Sequence, residues 1–403
     1  MAGPVRLQIL ARCRTTRARL GRLITPHGAV ETPAFMPVAT AAAMKGLSPE
    51  QVRATGSQII LNNAYHLMLR PGAERIAALG GTHRMMRWDG PILTDSGGYQ
   101  AYSMSDTAVV DEDGVRFRSF VDGSLVHLGP ERSIEVQNRI GADIIMAFDD
   151  CPPADRTAPS ADARRLARTR RVADHRARTA EAHERTLRWL ERCIRAHARP
   201  DEQGLFGIVQ GGTDLALRAR SVDAVCSHDL PGYAIGGVAV GEGPEAIRSV
   251  VEFTAPRLPE DRPRYLMGVG YERDIVMAVA AGVDMFDCVL PTRNGRNANA
   301  FTRSGPIRLR NAAFAEDAAP IDATCDCPAC AGGFGRAYLR HLFSASEMLG
   351  PTLVSLHNIR HFQRLMLDIR TAIREDAWSW LKGRWPCLAA PEAAPTDSSP
   401  HEP

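Results

Sequence analysis

Lysine is almost missing: the 403 residues include 49 basic side chains, and only Lys45 and Lys382 are lysines. The remainder is arginine, as codon bias towards Arg would produce. Net charge is only +3, so overall charge neither requires nor excludes a nucleic-acid partner. No apolar run reaches the roughly 20 residues of a membrane-spanning helix. The N-terminal MAGPVRLQILARCRTTRARLG has a short apolar patch broken by Arg and does not read as a secretory signal. A cytoplasmic protein is therefore expected. Disorder is excluded for most of the chain by 44% apolar and 24% charged residues. Cysteine is limited to nine residues, an odd number, with Cys325, Cys327 and Cys330 crowded together. That pattern points to a metal cluster plus buried thiols, not a disulfide framework.

Short apolar runs recur at Ala34–Val38, Gln58–Leu61, Pro91–Thr94, Asp143–Phe148, Leu205–Val209, Gly232–Ile235, Arg264–Val269 and Val283–Phe286. Helix-compatible stretches separate them, among them Ser48–Thr55, Pro130–Ile140, Asp214–Cys226, Pro244–Ala255 and Arg273–Ala280. Eight strands alternating with helices predict an α/β fold of the TIM-barrel type over residues 1–287. A doubly wound open sheet is the competitor, but no glycine fingerprint follows the first strand. Asp-Gly turns at 113–114 and 122–123 predict a β-hairpin insertion near 99–129. Residues 160–199 are rich in Arg, Ala and Glu and read as a solvated amphipathic helix. A zinc-binding subdomain is expected over 288–356, closing helices over 357–388, and a disordered tail over 389–403.

In such a barrel the active site lies where strands end. Asp95, Asp149, Gln210, Gly237 with Val238 and Asp287 all fall there, and Met267 lies within the run Arg264–Val269. Carboxylates can accept N–H protons, an amide can serve a carbonyl, and glycines expose backbone donors, so the set suits a planar heterocycle. Cys151, beside two carboxylates, reads as a thiol and not as a nucleophile. Three sulfurs in Cys-x-Cys-x2-Cys can face one ion, and a closed tetrahedral zinc site needs a fourth ligand. His341, His357 and His361 are candidates, with His357 favoured as the opening residue of a helix. Between Cys288 and Ala315 lie Arg293, Arg296, Arg303, Arg308 and Arg310 and no acid, a stripe suited to phosphate.

The strings TDSGGYQ (94–100), FDDC (148–151), GIVQGG (207–212), GYAIGGVAVGE (232–242), YLMGVG (265–270), DMFDCVLPTRNGR (284–296) and CDCPAC with HN (325–330, 357–358) occur in this order. With LNNAYHLMLRPG (61–72), they make the chain resemble bacterial tRNA-guanine transglycosylases over about residues 5–385. The resemblance implies exchange of the wobble guanine of GUN-anticodon tRNAs for a 7-deazaguanine, in queuosine biosynthesis. It implies Asp287 as nucleophile and Asp95 as general acid/base, with Asp149, Gln210, Gly237 and Val238 on the base edge. Tyr99 and Met267 would sandwich the ring, Cys151 would line the pocket, and Glu242 would sit behind the segment reading the exocyclic group. Arg293 and Arg296 would meet the anticodon loop. Cys325, Cys327, Cys330 and His357 would hold one structural zinc, and the protein would be a homodimer. Val240 resembles bacterial members, which implies 7-aminomethyl-7-deazaguanine as the incoming base. Two departures stand out: Asp150 where the family usually has Glu, and a Cys330–His357 interval one residue longer than usual. The rival readings are a non-catalytic tRNA-binding subunit, a barrel glycoside hydrolase and a zinc-stabilised nucleic-acid binder.

Overall fold

The structure, a computed structural model, describes residues 3–103, 108–153 and 175–389. Eight apolar runs form parallel strands: β1 (Ala34–Pro37), β2 (Ile60–Asn62), β3 (Ile92–Thr94), β4 (Ile144–Met146), β5 (Gly204–Val209), β6 (Gly232–Ile235), β7 (Arg264–Leu266) and β8 (Met285–Cys288). Each overlaps a run read from the sequence. They pair in the order β1-β8-β7-β6-β5-β4-β3-β2. A parallel bridge between Val38 and Leu61 ties β1 to β2 and closes the ring. The fold is the barrel, and the open sheet is excluded. Strands buried on both faces need apolar residues throughout, so no alternation marks them.

The barrel interior is filled. Met36, Leu61, Leu93, Met146, Phe206, Ile208, Ala234, Tyr265 and Met285 belong to one buried cluster. Packing is close enough that a Cβ at Gly232 would overlap the Phe206 ring. Side chains repeat every two residues along a strand. Two positions beyond the interior residues therefore stand Asp95, Gln210, Gly236, Met267 and Asp287, all at the C-terminal mouth.

The sequence reading missed an N-terminal antiparallel sheet of Arg6–Arg12, Arg19–Thr25 and Gly28–Thr32. Its Leu23 and Val30 join the interior cluster, as does the preceding Val5. It covers the opposite end of the barrel, because Arg19 pairs with Asp284, just ahead of β8, through a buried bond of 2.8 Å from Nε. The insertion after β3 does not open as a strand. Gly97, at φ +77°, turns the chain into helix Gly98–Ser103. The antiparallel strands Val109–Val110, Val115–Arg118 and Leu125–Leu128 follow. Of the Arg-rich stretch, His175–Ala196 is helix and residues 154–174 lie outside the described residues. The expected tail from 390 onward also lies outside them.

Beyond β8 come helix Leu290–Arg296, the short strands Asn299–Ala300 and Ile307–Arg308, and helices Pro328–Ala331 and Arg336–Ser344. All but the first share a small core that includes the three clustered cysteines, while Leu290 of the first packs into the main core. A single helix, Leu349–Arg374, then runs back along the barrel. The expected boundary at 356/357 falls inside it, and His357 lies in its third turn instead of opening it. Pro351 sits in the first turn, where its missing N–H is harmless, so nothing breaks the helix before His357. Among the described residues no helix is long and apolar enough to cross a membrane.

Candidate active site

Asp287, on β8, is held by two donors on one oxygen. The Tyr265 hydroxyl donates to Oδ1 at 2.6 Å and the Gly268 N–H at 2.8 Å. Burial raises its pKa, and these two donors oppose the rise. Tyr265 is itself 1% exposed and its hydroxyl is pushed well above its ordinary range by burial and the Asp287 charge, so it remains a donor. Asp95, following β3, accepts from the Ala64 N–H at 2.8 Å, from Gln100 Nε2 at 2.9 Å and from Asn63. Burial pushes its carboxyl up to about 6 despite those donors, and the Asp287 charge adds to the rise. The two carboxylates thus feel each other across one mouth while keeping different hydrogen-bond shells. Such a difference in environment lets neighbouring carboxyl groups take different protonation states.

Asp149 follows β4 and accepts from Gln210 Nε2 at 2.6 Å. Burial raises its pKa to about 6, helped by the charges of Asp150 and Asp95 and opposed by Gln210. Gly237 has φ +64°, and a Cβ there would collide with Gln210 Oε1, so glycine is required on both counts. Val238 is buried behind it. Glu242 accepts from the backbone N–H of Ala239 at 2.5 Å and of Val240 at 3.0 Å, which orients the segment that follows Val238. Cys151 is pushed strongly upward by burial and then by Asp149, which keeps it a thiol. Tyr99 is 37% exposed on the helix after β3. Met267 falls just past β7, not within it, with its N–H on the Ile235 carbonyl at 3.3 Å. A Cβ on Gly236 would stand 3.5 Å from its sulfur.

The Arg stripe does not act as one surface. Arg303 turns inward to Asp368 at 3.3 Å and lies over Trp385, and Arg310 lies over Phe343. Arg293 is exposed and Arg296 half-buried on helix Leu290–Arg296, one step beyond Asp287.

Cys325, Cys327, Cys330 and His357 are all buried, with their ligand atoms within 4.8 Å of one another. His357 Nδ1 lies 3.3 Å from Cys330 Sγ and 3.6 Å from Cys327 Sγ. Its Nε2 meets the Phe301 carbonyl at 2.7 Å, which fixes the ring and aims Nδ1 into the cluster. His361 bonds to Glu272 instead, and His341 is exposed on its helix. This buried Cys3His set can bind a metal ion. A further group, His27, His83 and Asp143, lies at the other end of the barrel. There each imidazole donates to one oxygen of Asp143 and the rings stack at 3.6 Å, a geometry that satisfies the carboxylate without an ion.

A family model described as queuine tRNA-ribosyltransferase matches residues 13–385. The chain belongs to this family. It is 54% identical over 372 residues to a queuine tRNA-ribosyltransferase of Thermus thermophilus, covering 92% of this chain and 91% of that protein. A queuine tRNA-ribosyltransferase of Nostoc is 51% identical over 378 residues, covering 94% and 96%. One of Geobacillus kaustophilus is 48% identical over 376 residues, covering 93% and 94%.

Several residues around the site carry no signal of their own in the sequence. Tyr265 reads there as strand core, and Asn63 and Ala64 as part of a matching string without a task. Asn358 accepts from the Phe301 N–H at 3.0 Å and donates to the carbonyls of Pro291 at 3.0 Å and Asn299 at 2.9 Å. It thereby pins the helix of Arg293 and Arg296 to the helix of His357. The HN dipeptide was the only available signal.

Proposed function

We propose that the protein exchanges the wobble guanine of GUN-anticodon tRNAs for 7-aminomethyl-7-deazaguanine, as a pentosyltransferase of queuosine biosynthesis working in the cytoplasm as a homodimer. Asp287 attacks the ribose anomeric carbon and the bond to guanine breaks, with Asp95 giving the departing base its proton. A glycosyl ester on Asp287 results, as in retaining glycoside chemistry. The incoming base then loses a proton to Asp95 and attacks the same carbon, which frees Asp287. Asp149 and Gln210 hold the base edge, with donors and acceptors from Gly237 and Val238. Tyr99 and Met267 close on its faces, and Cys151 lines the pocket as an uncharged wall. Glu242 fixes the backbone that meets the exocyclic group. The wobble base must leave its stack, which costs a few kcal/mol and less in a loop than in a duplex. Arg293 and Arg296 offset that cost through phosphate contacts.

The Cys3His donors suit zinc, and four protein ligands leave no open position, so the ion is structural. It would bind His357 to the cysteines and, through the neighbouring Asn358, hold the helix that presents Arg293 and Arg296. The observation that carries the reading is the pairing of Asp287, held by Tyr265 and Gly268, with Asp95 of raised pKa at the same mouth. Incubation with tRNA and labelled guanine, then with the aminomethyl base, followed by nucleoside analysis, tests it. Asp287→Ala should abolish exchange while tRNA still binds. Exchange by that variant near the wild-type rate would remove Asp287 as nucleophile.

A further inference from the structure

Arg218 is completely buried, and among the described residues no carboxylate pairs with it. Three backbone carbonyls take its donors: Gly212 from Nε at 2.8 Å, Val209 from Nη1 at 3.1 Å and Gly237 from Nη2 at 3.1 Å. A buried guanidinium with no anion is costly, and a scaffold role alone would be met more cheaply by an apolar side chain. The acceptors explain the choice. Val209 and Gly212 bracket Gln210, and Gly237 precedes Val238. One planar fork therefore spans the ends of β5 and β6, at the two loops that present the base-reading groups.

The peptide geometry gives this brace a direction. C=O and N–H point oppositely across a trans peptide. Holding the Gly237 carbonyl on Arg218 turns the Val238 N–H away from Arg218. Glu242 holds the Ala239 N–H and so turns the Val238 carbonyl away from itself. Val238 is left with its N–H turned from the one anchor and its carbonyl turned from the other.

We propose that Arg218 is a positioning residue that sets Gln210 and the Val238 donor–acceptor edge for the incoming heterocycle. This deepens the base-exchange reading and rests on it. Its test uses Arg218→Met and Arg218→Lys in the full chain, with labelled guanine and tRNA varied separately. Losing bonds from a charged donor should raise KM for guanine about tenfold or more in Arg218→Met. KM for tRNA and kcat should stay within about threefold, the pattern of lost ground-state binding. Arg218→Lys should fall between, because one ammonium cannot span three carbonyls. An unchanged guanine KM in both variants overturns the proposal. So does an equal rise in KM for tRNA, or failure of both variants to fold, since either would make Arg218 general scaffold. A wild-type protein that exchanges no guanine would sink the functional reading instead; a wild type that exchanges, with both variants unmoved, sinks only the role of Arg218.

Discussion

Replacing Tyr265 by Phe removes one hydroxyl from a position that is 1% exposed, and the ring still fills its place in the barrel interior. Asp287 Oδ1 then keeps the Gly268 N–H and loses the 2.6 Å bond. A hydrogen bond to a charged group contributes about 1.5–3 kcal/mol. The Tyr265 bond favours the ionised form, so its loss raises the pKa of Asp287 further, by about 1–2 units at 1.36 kcal/mol per unit. Nucleophilic attack needs the carboxylate. The acid limb of the pH–rate profile for guanine exchange should therefore move to higher pH by that amount. Above the limb, the more basic carboxylate attacks readily and leaves poorly, so covalent tRNA–enzyme should accumulate in denaturing gels. An acid limb that stays in place, or moves down, would refute the claim that Tyr265 holds Asp287 ionised.

Three other outcomes are expected. Cys327→Ser should lose one equivalent of metal by elemental analysis, with affinity falling more than the about 10–100-fold typical of outer-shell changes, and should lower the melting temperature. Arg293→Ala with Arg296→Ala should flatten the salt dependence of tRNA binding by about 1–1.5 in log–log slope, near 0.7 per lost single-strand phosphate contact. KM for guanine should rise as pH falls through about 6, because Asp149, raised to that value by burial, loses its capacity to accept N–H donors when protonated. The same raised pKa makes the unliganded fold relatively more stable at low pH. That contribution is complete below the ordinary Asp range and is lost as pH rises through about 6, so ligand-free melting and base affinity should respond to acid in opposite directions.

The barrel was legible because its strands are short and mostly apolar, and because helix-compatible stretches separate them. The mouth was legible for a related reason: a polar residue at the end of an apolar run breaks its pattern, as Asp95, Gln210 and Asp287 do. Residues that serve the site from within the apolar pattern gave no such signal. Tyr265 sits mid-strand among core residues, and only coordinates show its hydroxyl on Asp287. Arg218 lies in an Arg-containing helix, where one guanidinium looks like any other until its three carbonyls are seen. The N-terminal sheet was missed because Arg12, Arg19 and Arg22 interrupt its apolar residues, and Arg19 is buried against a partner, Asp284, that lies far along the chain.

Asp150 and the described part of the Arg-rich stretch meet in one network of ion pairs. Asp150 follows Asp149 directly and is 4% exposed, so its charge needs an answer. Helix His175–Ala196 supplies two: Arg178 Nη2 at 2.6 Å from Oδ1 and Arg185 Nη1 at 2.6 Å from Oδ2. The next turns of the same helix reach outward, Arg188 to both oxygens of Glu112 and Arg192 to both oxygens of Glu131. Trp189, between them, donates to the Glu112 carbonyl at 2.8 Å. The helix is therefore not the solvated face its composition suggests. It is a ladder of guanidinium–carboxylate pairs that joins the insertion after β3 to the end of β4. Arginine is the required residue, since bidentate pairing needs its planar fork. The shorter Asp side chain is held close to the backbone of the β4 end while two guanidinium groups come to it. Asp150 is thus taken up by the helix, and of the two adjacent acids Asp149 is the one that bonds to Gln210.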